Sequence, residues 1–182
     1  KYDVEIKHVN GTISDVADYI VEYLVKLNLN SPVLLFTNTR GEAEFLASIL
    51  KEKSPISVEL HHGSLSQQVR EETEDNLKSG RSRLVVCTSS LELGLDIGSV
   101  ELVMHYGSPR QVSKFMQRIG RSKHNKHSSA KGLIITNNVD DELETTAILE
   151  RIHEGSIEDQ LIHDGSLDVL AHHLVGLSMQ IG

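Results

Sequence analysis

The sequence predicts an α/β fold: a mainly parallel sheet covered by helices on both faces, three layers in all. Three observations lead there. Short runs at residues 33–36 and 83–87 are apolar on both faces, as strands in the middle of a parallel sheet are. Between the strand-like runs, apolar residues recur at i, i+3 and i+4 over windows of about 10 to 15 residues, the spacing of amphipathic helices. Strand and helix then alternate along the chain, which calls for right-handed βαβ crossovers.

Tyr2, Val4, Ile6 and His8 alternate with Lys1, Asp3, Glu5 and Lys7, the pattern of a half-exposed strand at a sheet edge. After the Asn10-Gly11 turn, Ile13, Val16, Ala17, Ile20, Val21 and Leu24 make a helix capped by Thr12 or Ser14. The 33–36 strand is bounded by Pro32 and by Thr37-Asn38-Thr39-Arg40-Gly41, and Ala43, Leu46, Ala47 and Leu50 give a returning helix. Residues 57–60 form a strand, after which Ser64 and Gln67 make a capping box for a helix ending near Gly80. Residues 101–106 and 133–136 are the remaining strands, and Leu143, Ala147, Ile148 and Ile152 line a further helix. Beyond about His153 the pattern changes. The expected division is therefore one domain over 1–153, a linker over 154–165, and a helix over 166–182 that begins another domain, for which a winged helix is one candidate, or else braces this one.

Composition narrows the function classes. With 182 residues, 38% hydrophobic and 24% charged, the chain can bury one full core. No apolar run approaches the ~20 residues of a membrane span, and no signal-peptide pattern follows Lys1, so no membrane partner is expected. Cys87 is the single cysteine; it has no internal disulfide partner, and a reducing, cytoplasmic setting is expected. The histidine pairs 61/62, 124/127 and 172/173 lack cysteine or carboxylate companions at ligand spacing, so no metal site is expected. No Gly-x-Ser-x-Gly elbow occurs. A net charge of −8 argues against wholesale electrostatic binding of nucleic acid, so any polyanion contact must be local.

One stretch answers to that requirement. From residue 102 to 139 there are seven Lys/Arg and no Asp or Glu, while the rest of the chain holds eleven bases and all 26 acids. Within it Val112, Phe115, Met116 and Ile119 share one helix face, and Lys114, Gln117, Arg118 and Arg121 are expected on the opposite one. Such an island calls for an anion. In an open parallel sheet, ligands meet the loops at the carboxyl ends of the strands. Four polar or glycine-rich loops, at 37–41, 61–66, 88–98 and 107–110, should open on that edge. In the 88–98 loop, hydroxyls at Thr88, Ser89 and Ser90 and amides near Gly94 offer donors to a phosphate, while Asp96 can accept from a ribose hydroxyl.

Phe36-Thr37-Asn38-Thr39-Arg40, His62-Gly63-Ser64-Leu65, the run from Cys87 through Thr88-Ser89-Ser90-Leu91-Glu92-Leu93-Gly94-Leu95-Asp96, and Gln117-Arg118-Ile119-Gly120-Arg121 resemble, in this order, motifs IV, IVa, V and VI of superfamily 2 helicases. With His61-His62-Gly63-Ser64 upstream and Leu167-Asp168-Val169-Leu170 downstream, the wording is similar to the Lhr-type large helicase-related group. The resemblance implies a second, C-terminal RecA-like domain of an ATP-dependent DNA helicase of the kind that serves DNA repair. It implies that Arg121 reaches the γ-phosphate of ATP held by a preceding RecA-like domain, with Gln117 facing the same nucleotide and Arg118 supporting nearby. Gly94 and Asp96 would line the nucleotide side of the cleft. Thr88 would touch a nucleic-acid phosphate, and Thr39, Arg40 and Gly63 would lie along the same strand-binding edge. ATP with Mg²⁺ is the implied cofactor, the Mg²⁺ ligands lying on the preceding domain; that domain and single-stranded or unwinding nucleic acid are the implied partners.

Two departures stand out. Many relatives carry a second motif VI arginine three residues after the first finger, where this chain has His124; Lhr-type members tend to have His there after a glycine, where this chain has Lys123. Arg121 is then a single finger, or Lys123 supplements it. The chain also has no Gly-x-x-x-x-Gly-Lys-Ser/Thr and no Asp-Glu-x-His box, so it lacks the phosphate cradle and Mg²⁺ ligands. A different reading stays open on the residues alone: a stand-alone α/β binding or regulatory domain whose basic helix docks an acidic partner.

Overall fold

Among the described residues six strands, β1 (Tyr2–His8), β2 (Val33–Phe36), β3 (Val58–His61), β4 (Leu84–Cys87), β5 (Leu102–Tyr106) and β6 (Ala130–Thr136), form one sheet in the order β1-β6-β5-β2-β4-β3. Every pairing is parallel. The computed structural model describes residues 2–29, 31–92, 100–122 and 130–155. The α-helices among these residues are α1 (Ile13–Leu27), α2 (Arg40–Lys53), α3 (Gln67–Lys78) and α4 (Val112–Ile119) between strands, and α5 (Val139–His153) after β6.

Alternation along each strand separates the two faces. Val33, Leu35, Leu84, Val86, Leu102, Met104, Leu133 and Ile135 pack with α1 and α2 in one buried cluster. Leu34, Phe36, Val85, Cys87 and Val103 turn to the other face with Leu77 of α3, beside a cluster of Ile134 with Val112, Phe115 and Ile119 of α4 and Ile148 of α5. The predicted three layers are present. β1 is an edge strand with no fully buried residue, as its alternation anticipates. Cys87 is a free, fully buried thiol whose pKa burial pushes up, which keeps it protonated.

Caps set the helix starts. Thr12 and Asp15 make a capping box on α1, and Thr39 and Glu42 another on α2. The cap of α3 is Ser66, whose hydroxyl accepts from Val69 N, and not Ser64 as the sequence suggests. Two serines stand two residues apart there, and Ser64 is used instead by Arg40, whose Nη1 donates to its hydroxyl at 3.0 Å. α3 ends at Lys78, with Gly80 in the left-handed region at φ +71°.

Two tests follow from the packing. Gly132 of β6 lies beneath α4, and a Cβ there would stand 2.6 Å from Ile119 Cδ1 and 3.3 Å from Cγ1. Ile119 is fully buried and has little room to yield, so Gly132→Ala should lower the unfolding free energy by roughly 1–3 kcal/mol, read as a lower urea midpoint at unchanged slope. His105 in β5 is almost fully buried, and burial first, then the Arg118 charge, pushes its pKa down to about 3. The unfolded chain takes up a proton near pH ~6.5 that the native state refuses. This contribution to stability is therefore whole above that pH and is lost as pH falls toward 3. In urea titrations between pH 7 and 4, His105→Asn should make the acid limb shallower by about one proton equivalent; an unchanged limb would refute the neutral, buried imidazole.

Candidate functional site

Because the sheet is all parallel, the loops after β2, β3, β4 and β5 open on one edge. From β2 the chain leaves through α2, on one face, toward the β3 side; from the neighbouring β5 it leaves through α4, on the other face, toward β6. That divergence is a topological switch point, where α/β sheets bind ligands. Asn38 spans it, its Nδ2 donating to Ser108 O at 2.8 Å. Gly107, at φ +77°, turns the chain tightly out of β5, and Arg110 follows at φ +66°.

Thr39, Arg40, Gly63 and Thr88 lie on the β2-β4-β3 side of this edge. Thr39 is exposed and caps α2, its hydroxyl accepting from Glu42 N at 3.2 Å. The Arg40–Ser64 hydrogen bond ties the loop after β2 to the loop after β3. Gly63 is exposed and a Cβ on it would meet nothing within 4 Å, so the domain's own packing does not require glycine there. Thr88, half-buried, is fixed by its amide donating to His61 O at 3.3 Å. Behind it His61 is buried, with Nε2 3.1 Å from Glu74 Oε1 and Nδ1 2.7 Å from Ser90 Oγ. An ionised Glu74 only accepts, so Nε2 carries the proton and Nδ1 accepts from the Ser90 hydroxyl. Burial pushes the His61 pKa down, against the pull of Glu74.

The motif VI residues lie across the edge. The sequence places Arg118 on the solvent face of its helix; the structure buries it, at 4% exposure. At ~100° per residue Arg118 stands only ~60° from Phe115, at the border of the packed face, and helical periodicity cannot register a counterion from another loop. That counterion is Glu92, also buried, whose Oε1 accepts from Arg118 Nε at 2.6 Å and from Nη2. Arg118 Nη1 donates to His105 Nε2, and His105 Nδ1 donates to Gly107 O at 3.0 Å. The guanidinium carbon lies 5.2 Å from the centre of the Phe36 ring. Arg121 is not on the α-helix, which ends at Ile119; it sits in the 3-10 turn Gly120–Ser122. Half-buried, it donates from Nε at 3.0 Å and Nη2 at 2.6 Å to the backbone carbonyl of Glu92. Gln117 is half-buried on the helix itself.

The cationic island is thus partly neutralised by acids of the same domain that flank it in sequence. Besides Arg118, Arg110 pairs with Asp141 Oδ1 at 2.9 Å and Glu144 Oε2 at 2.6 Å on α5. Glu92 and His105 were not singled out from the sequence, although an acid between Leu91 and Leu93 and an imidazole inside an apolar strand both ask for a buried partner. Gly94, Asp96, Lys123 and His124 lie outside the described residues, as do residues 156–165 of the expected linker and the helix expected over 166–182.

Comparison with known proteins identifies the family. Residues 15–126 match the family described as helicase conserved C-terminal domain. The chain is 41% identical over 192 aligned residues to the ATP-dependent helicase Lhr-Core of Methanocaldococcus jannaschii, covering 99% of this chain and 22% of that protein. It is similar in structure to the Mycobacterium smegmatis helicase Lhr bound to single-stranded DNA and AMP-PNP, with a TM-score of 0.83 and 34% identity over 96% of this chain and 24% of that one. It is also similar to the C-terminal domain of the DEAD-box protein Dbp5, at TM-score 0.66 and 25% identity, with 87% of each chain covered. The chain spans about a fifth of the curated Lhr-Core relatives it matches. Fold, motif order and these likenesses agree that the chain belongs to the helicase conserved C-terminal domain family, as a second RecA-like domain of superfamily 2 with Lhr-type character.

Proposed function

We propose that this chain is the second motor domain of a longer ATP-dependent DNA helicase, in which Arg121 is the arginine finger for ATP bound by an upstream RecA-like domain. The observation that carries the reading is the placement of Arg121: a guanidinium held by two nitrogens on one backbone carbonyl, at the carboxyl edge of a parallel sheet. Phosphoryl transfer is catalysed mainly by positioning and by positive charge placed where negative charge develops. Among the described residues no cluster of His, Cys, Asp or Glu could hold a metal ion, and the Mg²⁺ ligands are assigned to the upstream domain. ATP with Mg²⁺ would supply the phosphoryl group there. This chain's part is to orient Arg121, with Gln117 beside it and Gly94 and Asp96 on the nucleotide side.

Thr39, Arg40, Gly63 and Thr88 are proposed to hold the strand. The Thr39 hydroxyl accepts from the α2 amide and keeps its own proton for a phosphate oxygen. The open space over Gly63 admits close approach of a backbone. Such contacts position a strand without reading its bases. The M. smegmatis relative, bound to single-stranded DNA and AMP-PNP, supports both assignments by likeness. Docking of an acidic partner on the basic helix is disfavoured, since Arg110 and Arg118 already have their carboxylates. Among the described residues no helix is long and apolar enough to cross a membrane; a cytoplasmic setting and a linker over 154–165 are part of the same proposal.

The isolated chain should hydrolyse no ATP. In the parent polypeptide, with saturating nucleic acid, Arg121→Ala should lower steady-state turnover by about 10³ or more while leaving nucleotide binding by the upstream domain intact. Arg121→Lys keeps the charge without the planar fork and should recover little. Lys123→Ala should cost far less, unless Lys123 replaces the second motif VI arginine. Turnover near wild type in Arg121→Ala would remove the central claim. For the strand, contact with about two or three phosphates should give a single-strand salt slope of roughly −1.5 to −2. Tight, sequence-specific binding by this chain alone would contradict the assignment.

A further inference from the structure

We infer that Glu92 and Arg118 act together as positioning residues for Arg121: the buried ion pair between their side chains fixes the Glu92 backbone, and the Glu92 carbonyl aims the Arg121 guanidinium. Neither side chain would touch nucleotide. The inference rests on the finger reading of Arg121 and adds what sets the finger's direction.

The geometry makes Glu92 a double anchor. Its carboxylate takes two nitrogens of Arg118 on Oε1, and its carbonyl takes two nitrogens of Arg121. Arg118 is held in turn by His105 Nε2 and the Phe36 ring, so its position is set by β2 and β5, the central strands of the sheet. Arg118 and Glu92 are 4% and 7% exposed. A buried guanidinium in that setting cannot leave its carboxylate without a large desolvation penalty, so the pair resists rotation of the loop that follows β4. Glu92 also closes the turn Ser89–Leu91, its amide donating to Ser89 O at 3.0 Å. The turn's middle residue, Ser90, is held by His61. The residue whose carbonyl receives Arg121 is thus held both by its side chain and by its amide. A long side chain held by two N–H groups on a fixed acceptor keeps its planar fork in one orientation, which a freely rotating arginine would not. Arg118, three residues before the finger, thereby acts through Glu92 and not through solvent or nucleotide.

A double-mutant cycle in the parent polypeptide tests this. Arg118→Gln should lower kcat for nucleic-acid-stimulated ATP hydrolysis by about 10²-fold, the scale of a ~1 Å misplacement of a catalytic group, with KM for ATP within about twofold. In the Arg121→Ala background the same substitution should lower kcat no further, because its effect passes through Arg121. Arg118→Lys, which can keep one charged hydrogen bond to Oε1, should recover about a tenth to a third of wild-type kcat. If Arg118→Gln fails to fold because it leaves Glu92 buried without a counterion, the Glu92→Gln/Arg118→Gln pair, which removes both charges, takes its place with the same expectations. Melting temperature and urea midpoint are recorded for each variant, so that a loss of folded protein is not read as a loss of aim. A kcat for Arg118→Gln or the double variant near wild type, while Arg121→Ala collapses, overturns the inference and leaves the finger reading standing. Additive losses in the cycle also overturn it. Near-wild-type kcat in Arg121→Ala overturns the finger reading and this inference together.

Discussion

The Glu92–Arg118 ion pair is the constraint around which this edge of the domain is arranged. Two full charges have been taken out of water, and each is tolerable only because the other, with His105 and the Phe36 ring, completes its shell. Contacts within the pair join the loop after β4 to the end of α4 across the two middle strands. Loss of either partner would leave an uncompensated buried charge, an expense of about 3–5 kcal/mol in comparable settings. His105 must stay neutral for the arrangement to hold, since a protonated imidazole could not accept from Arg118.

Charge is distributed to the same end. Outside the 102–139 stretch the chain is strongly acidic, and many of its acids lie on helices, among them Asp15, Asp18 and Glu22 on α1, Glu71, Glu72 and Glu74 on α3, and Asp140, Glu142 and Glu144 on α5. A polyanion approaching either helical face meets like charge, and the carboxyl edge is where that repulsion is interrupted. Arg110, bound to Asp141 and Glu144, serves the fold by fastening the turn after β5 to α5. The cations available at the edge are therefore fewer than a count along the sequence suggests.

The architecture was legible in the sequence because its signals are local. Runs such as Val33-Leu34-Leu35-Phe36, apolar on both faces, can only be central strands, and the alternation from Tyr2 to His8 marks an edge. The strand at 133–136 begins earlier, at Ala130, because pairing with β1 extends it through Lys131 and Gly132, which carry no strand signal of their own. The site was legible only as a set of motifs. The burial of Arg118 and the orientation of the half-buried Arg121 both depend on Glu92, 26 residues upstream of Arg118, and no periodic pattern spans that separation. The choice of Ser66 over Ser64 as the α3 cap was likewise settled by a partner elsewhere, Arg40.

The lone thiol has a practical consequence. Cys87 sits inside a central strand with no solvent contact and a pKa raised by its surroundings, so maleimides and other thiol reagents, which attack the thiolate, have nothing to react with in the folded domain. A cysteine introduced at an exposed position such as Phe45 on α2 or Leu143 on α5, 56% and 64% exposed, would be the one reactive site of this domain. A fluorophore placed that way can report on this domain without removing a native residue from the core.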